Sequence, residues 1–163
     1  MIDALERKYR KFWPIDPLMM GHIKLDAGCG VSVKNGFIGL DIYDYKQHIV
    51  WDLQDGVPLP DSSCIEIHCQ HCLEHIPDMI GVMCEFWRVL KKDGKLTVLV
   101  PHKSDSSALI PTHVRLMDEG TFKFFEENVE ANELRRHGPE KWKIEEMTVN
   151  HRNDLIVVMR PIK

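Results

Sequence analysis

Paired cysteines, a membrane-length apolar run and a cationic stretch are all missing from this chain. Its five cysteines, Cys29, Cys64, Cys69, Cys72 and Cys84, are odd in number. No secretory leader is evident either, so a disulfide framework is not expected and a reducing, cytoplasmic setting is. No apolar run reaches the roughly 18 residues that a membrane span requires, so no membrane partner is expected. Lys and Arg number 21 against 25 Asp and Glu, a net charge of −4, and the densest basic patch is Arg7-Lys8-Tyr9-Arg10-Lys11. Non-specific nucleic-acid binding needs a cationic face that displaces counterions from phosphates, and this balance argues against that partner. Internal repeats and low-complexity segments are also lacking.

What remains is an ordinary globular composition, 44% hydrophobic and 28% charged over 163 residues. That length suits a single domain, residues 1–163, able to bury roughly 70% of its unfolded surface without a metal or disulfide. Residues 1–20 read as an amphipathic helix, Asp3 to Phe12, with Leu5, Tyr9 and Phe12 on one side. Pro14 and Pro17 then make a linker. Phe12, Trp13, Met19 and Met20 read as packing for this segment.

Short apolar runs follow, separated by turn formers. Ile23–Asp26, Phe37–Asp41, His48–Trp51, Ile65–Cys69 and Lys95–Val100 read as five strands. A helix is expected from Pro77 to Lys91, where Ile80, Met83, Cys84, Trp87 and Leu90 recur at helical spacing. Lys91 and Lys92 suit its negative C-terminal end, and Asp93-Gly94 is expected to stop it. Further helix is expected between Asp118 and His137. Trp142–Val149 and Leu155–Met159, joined by Asn150-His151-Arg152-Asn153-Asp154, read as an antiparallel hairpin. The expected fold is therefore an α/β, mostly parallel sheet with an antiparallel C-terminal hairpin.

The segment Leu25-Asp26-Ala27-Gly28-Cys29-Gly30 follows the first strand directly. Its glycines let the backbone turn tightly and approach a ligand with no β-carbon in the way. Ligands of open parallel sheets lie beyond the carboxyl ends of the strands. The second strand ends in Asp41, whose carboxylate can accept from both hydroxyls of a ribose. The third ends in Asp52-Leu53, where a polar and an apolar group can flank an adenine. A glycine pair alone reads as a plain turn; three acids at three successive strand ends beside it carry more information.

These blocks together resemble the class I S-adenosylmethionine-dependent methyltransferases, in the small subgroup with a Leu-Asp/Asn-x-Gly-Cys-Gly signature. The resemblance continues through Asp52-Leu53-Gln54-Asp55-Gly56-Val57-Pro58-Leu59-Pro60-Asp61-Ser62-Ser63, His71-Cys72-Leu73-Glu74-His75-Ile76 and Trp87-Arg88-Val89-Leu90-Lys91-Lys92-Asp93-Gly94-Lys95-Leu96. It covers about Ile23 to Phe125. It implies a Rossmann-like seven-stranded sheet with helices on both faces, S-adenosylmethionine as cofactor, and methyl transfer to a small-molecule or sugar-linked acceptor. It further implies that Asp26, Gly28, Cys29 and Gly30 line the methionine end. Asp41 and Ile42 would lie at the ribose, Asp52 and Leu53 at the adenine, and His71 near the methionine end or the acceptor. In-line displacement from a sulfonium needs alignment, and a base only when the acceptor must lose a proton. His71, His102 and His113 are the candidate imidazoles.

In Pro111-Thr112-His113-Val114-Arg115-Leu116-Met117, His113 can serve as base and Arg115 can hold an anionic group; local capping and pairing is the alternative. For His102, past the fifth strand, the alternative is a solvated loop position. Cys69-x-x-Cys72 has zinc-ligand spacing, but no second pair follows it. It reads as packing, and no metal site is assigned. Ten residues separate Asp26 from Phe37, too few for an ordinary helical crossover, so a very short helix or a loop is expected there. Val33 stands where a dinucleotide fingerprint needs its third glycine, and Asp41 comes only 13 residues after Gly28. Both facts argue against a nicotinamide-dependent oxidoreductase. A cofactor-binding module without catalysis is the competing reading, favoured by the short crossover.

Overall fold

The computed structural model describes residues 21–126 and 141–163. The expected helix Asp3 to Phe12, its linker, and the part of the later helical segment beyond residue 126 lie outside the described residues.

Seven strands form one sheet: β1 (Ile23–Ala27), β2 (Ile38–Asp41), β3 (Ile49–Val50), β4 (Cys64–Gln70), β5 (Leu90–Pro101), β6 (Trp142–Val149) and β7 (Asp154–Pro161). Their order is β3-β2-β1-β4-β5-β7-β6. The first five run parallel, β7 pairs antiparallel with β5, and β6 antiparallel with β7. The mostly parallel sheet and its antiparallel C-terminal hairpin are as expected. From β1 the chain builds outward through β2 to β3, then returns to place β4 on the other side of β1. That reversal opens a crevice beyond the carboxyl ends of β1 and β4, where ligands of such sheets bind.

The crossover from β1 to β2, residues 28–37, contains no helix, in keeping with its length. The link from β2 to β3, residues 42–48, has none either. Side chains do the holding there. Asp26 Oδ2 accepts from the Lys34 amide at 2.7 Å. Gln47 Nε2 donates to the carbonyls of Asp41, Tyr43 and Ile49 at 2.7–3.2 Å.

Helix α1 (Met79–Val89) begins at Asp78, whose Oδ1 accepts from the Gly81 amide at 2.9 Å. Its buried stripe is Met79, Val82, Met83, Phe86 and Val89. The expected stripe was set one residue out of phase at most positions: Ile80 is exposed, while Cys84 and Trp87 are half-buried. Both stripes are apolar at helical spacing, and only the sheet beneath selects between them. The expected stop at Asp93-Gly94 also gives way. The helix ends at Val89, and Leu90, fully buried, is already extended and paired with Cys64. Burying Leu90 outweighs continuing the helix to a glycine. Helix α2 (Glu119–Lys123) opens with a reciprocal cap between Asp118 and Thr121. Among the described residues no helix is long and apolar enough to cross a membrane.

One polar cluster fixes α1 to the segment that precedes β4. Arg88 donates to the carbonyls of Val57 and Leu59 at 2.9 Å each. Its guanidinium also meets both oxygens of Glu85, at 2.7 and 2.8 Å. Glu85 in turn accepts from the Val57 amide at 2.8 Å. Burial alone pushes the Glu85 carboxyl up, but Arg88 and the Val57 amide outweigh it and hold the group below its usual range. Asp61, largely exposed, adds little to the cluster.

Replacing the guanidinium leaves the half-buried Glu85 carboxylate with the Val57 amide as its remaining donor and the Leu59 carbonyl without its donor. Arg88→Met is therefore expected to cost about 2–3 kcal/mol in urea unfolding. Glu85 has a lowered folded pKa, so its contribution is fully present above the unfolded value of about 4.3 and fades as pH falls through the folded one. The urea midpoint of the wild type should fall more steeply between about pH 5 and 3 than that of Glu85→Gln.

Candidate active site

Where β1 ends, the chain doubles back under Leu40. The amides of Gly28 and Cys29 both donate to the Leu40 carbonyl, at 2.8 and 3.1 Å. The next amide, that of Gly30, donates to Asp41 Oδ2 at 2.8 Å. This path demands φ of +70° at Gly28 and +56° at Gly30, the left-handed region glycine enters freely. A β-carbon on Gly28 would stand 2.4 Å from Cys72 Sγ, whereas one on Gly30 would meet nothing within 4 Å. The first glycine is needed for packing under the bend; the second leaves its outer surface open.

Asp41 also accepts from the Tyr43 amide through Oδ1, at 3.1 Å. Each carboxylate oxygen thus carries one backbone donor and keeps capacity for another. Asp52 caps a short 3-10 turn, Leu53–Asp55, accepting from the Gln54 amide at 2.9 Å. The Trp51 indole donates to the Gly56 carbonyl at 2.9 Å, and the Trp51 amide to the Asp41 carbonyl at the same distance. These bonds place Asp41, Asp52 and Leu53 around one hollow of about 600 Å³, with Gly28, Gly30, Ile42 and His71 also on its walls. A second hollow, about 780 Å³, is bounded by Asp26, Gly28, Cys29, Gly30, His68 and His71. The two share Gly28, Gly30 and His71.

Asp26 is buried, with Oδ2 on the Lys34 amide and Oδ1 3.3 Å from His68 Nδ1. It borders the second hollow while bracing the loop that replaces a helix. Burial raises the Cys29 thiol to about 11, with help from Asp26 and Asp41, so near neutrality it is a thiol and no nucleophile.

His71 takes φ +50°, uncommon for a residue with a side chain, and its amide donates to the Leu99 carbonyl at 2.9 Å. Its ring lies between two acids, Nδ1 3.5 Å from Glu74 Oε1 and Nε2 3.6 Å from Asp154 Oδ1. The nearby Glu74 carboxylate raises its pKa, burial works against this, and Asp154 adds to the rise.

The other candidate residues lie elsewhere. His102 does not line either hollow: Nδ1 meets Ser104 Oγ at 2.7 Å and Nε2 faces Glu119 at 3.4 Å, tying the end of β5 to α2. Arg115 directs its guanidinium to the carbonyls of Ile76 and Pro77, the local pairing that was the alternative to holding an anion. His113 packs edge-on against His75, ring centroids 4.6 Å apart, behind the wall of the first hollow. Sequence reasoning passed over Tyr43, Trp51, Cys72, His75 and Thr112, all of which line the first hollow. Tyr43 had a signal, standing two residues beyond Asp41; Thr112 had none, because its place depends on how residues 103–117 fold back.

The chain is similar to known proteins. Residues 25–98 match the family model for a methyltransferase domain. Over 53 residues the chain is 40% identical to demethylmenaquinone methyltransferase of Tropheryma whipplei (strain Twist); the match spans 32% of this chain and only 22% of that protein. Among solved structures, a SAM dependent methyltransferase from Aquifex aeolicus superposes with a TM-score of 0.59 at 14% identity, over 98% of this chain and 90% of that one. An S-adenosylmethionine dependent methyltransferase from Mesorhizobium loti gives 0.59 at 16% identity, over 96% and 98%. Residues 25–98 thus match a methyltransferase domain, and the chain shares the fold of S-adenosylmethionine-dependent methyltransferases.

Proposed function

We propose that the protein transfers a methyl group from S-adenosylmethionine to a small-molecule or sugar-linked acceptor. One observation carries the reading: Asp41 holds the glycine bend through one oxygen and the Tyr43 amide through the other, and still faces the first hollow. The residues fit a nucleoside. The two remaining acceptor sites of Asp41 match the two hydroxyls of a ribose. Leu53 and Ile42 offer apolar surface for a base, with Asp52 at its edge. The open outer side of Gly30 gives passage from the first hollow to the second, where Asp26, Cys29 and His68 would surround the methionine end.

When bound, the cofactor supplies a methyl group already activated on sulfonium sulfur. The chain's task is alignment, which can contribute several kcal/mol. His71 stands where the two hollows meet, so it is the imidazole best placed to orient an acceptor or take its proton. His102 and His113 border neither hollow and hold the surrounding segments. The acidic balance of the chain supports a small acceptor over nucleic acid.

A binding module without transfer is the second reading. It is favoured by Arg115 and His102, whose polar atoms are directed at the protein's own groups.

Calorimetry with S-adenosylmethionine and S-adenosylhomocysteine should show saturable binding of both. Asp41→Asn should weaken it about 10–100-fold, the loss of a charged hydrogen bond or two. If the wild type binds neither ligand, the methyltransferase reading fails. Against a panel of hydroxylated and glycosylated acceptors, homocysteine release after enzymatic hydrolysis should report turnover. His71→Ala should lower kcat about 100-fold or more while leaving cofactor affinity within a few-fold. Tight binding with no turnover on any acceptor would support the module instead.

A further inference from the structure

A buried carboxylate and two imidazoles meet where residues 112–117 cross the turn after β4. Glu74, His75 and His113 each bring one ligand-type atom to within 4.8 Å of the other two. Glu74 is 1% exposed, and neither of its oxygens receives a hydrogen bond from a described residue. The nearest charge partner is His71 at 3.5 Å, long for a hydrogen bond. His113 Nδ1 is buried and equally without a partner. Polar atoms so enclosed cost stability until something satisfies them, a carboxylate most of all.

The lone pairs are aimed by the protein. His75 Nδ1 stands 3.1 Å from the Thr112 carbonyl. A carbonyl only accepts, so Nδ1 carries the proton and Nε2 carries the lone pair. Imidazoles that ligate metals are oriented by such a bond. The two chain segments are joined independently of the cluster, by the Val114 amide on the Glu74 carbonyl at 2.9 Å and by Arg115 on the carbonyls of Ile76 and Pro77.

We propose that Glu74, His75 and His113 bind a divalent first-row transition cation, zinc being the best fit. Two neutral imidazoles and one carboxylate form the donor set of zinc sites that keep a fourth position open. Magnesium and calcium prefer oxygen donors throughout. Zinc bonds of about 2.0–2.1 Å set tetrahedral ligand atoms roughly 3.4 Å apart, so the side chains must close by up to roughly 1.4 Å. His71 then becomes the outer partner of the ligating carboxylate. Because His75 and Thr112 line the first hollow, the ion would stand against its wall. The Cys69 and Cys72 pair, which has zinc spacing in the sequence, is a poorer host. Cys69 is fully buried, and its bond to Cys72, with burial, pushes its thiol well above the usual range. The site stands independently of the methyltransferase reading.

The full chain, stripped with a chelator, should be titrated with Co²⁺ and followed by visible d–d absorption, with Zn²⁺ as competitor. One equivalent should bind, and Zn²⁺ should displace it. His75→Ala and His113→Ala should each weaken binding at least about 100-fold, the most that losing a mere outer partner costs. Cys72→Ala should leave binding unchanged. His75 is exposed, so its variant should keep the wild-type circular dichroism, and added Zn²⁺ should raise the melting temperature of wild type but not of this variant. No saturable uptake, uptake that survives His75→Ala, or uptake abolished by Cys72→Ala would each overturn the proposal.

Discussion

The carboxylate of Asp41 joins the two strand ends on which the rest of the site is built. It ends β2, accepts the Gly30 amide from the bend that ends β1, and accepts the Tyr43 amide from the loop that follows. The Asp41 carbonyl meanwhile accepts from Trp51, past the end of β3. Three successive parallel strands are thereby joined at their carboxyl ends through one residue, without a helix between them. An anionic group at that point is costly unless it collects donors. Here the donors are backbone amides whose positions the glycine bend makes possible.

Short crossovers explain why so much of this edge is held by side chains. A helical crossover brings its own ordered amides and packs them on the sheet. Residues 28–37 and 42–48 lack that, and Asp26 and Gln47 supply the missing bonds. On the other flank, Arg88 and Glu85 do the same for the residues leading into β4, and Arg115 for those after it. Charged side chains in this small chain act first as backbone partners. The carboxylates that reach the hollows, Asp26, Asp41 and Asp52, do so with one set of lone pairs already in use. That double duty orients these carboxylates in advance, which favours ordering a ligand over merely contacting it.

The glycine bend, Asp41 and Asp52-Leu53 were legible in the sequence because each sits at the end of a strand, and strand ends in a parallel sheet share one edge. His71 was legible for the same reason, as the residue following β4. Where only chain order was available, alternatives stayed open. Pro111 to Met117 drew attention through His113 and Arg115, yet the segment presents Thr112 to the hollow and turns Arg115 onto the carbonyls of Ile76 and Pro77. Cys69-x-x-Cys72 drew attention through spacing, yet the close acid and imidazole pair lies at Glu74 and His75, with a partner from far along the chain.

Local chemistry in the sequence determined which segments become strands, the antiparallel hairpin and the glycine bend. Apolar runs, turn formers and carboxylates specify these over short distances. Tertiary structure decided which face of α1 is buried and where that helix stops. Two apolar stripes one residue apart look equivalent until a sheet lies beneath them, and Leu90 leaves the helix because the core beside Cys64 takes it. It also decided what His75 and His113 do, since residues 37 or more positions apart meet only once the chain has folded back across β4.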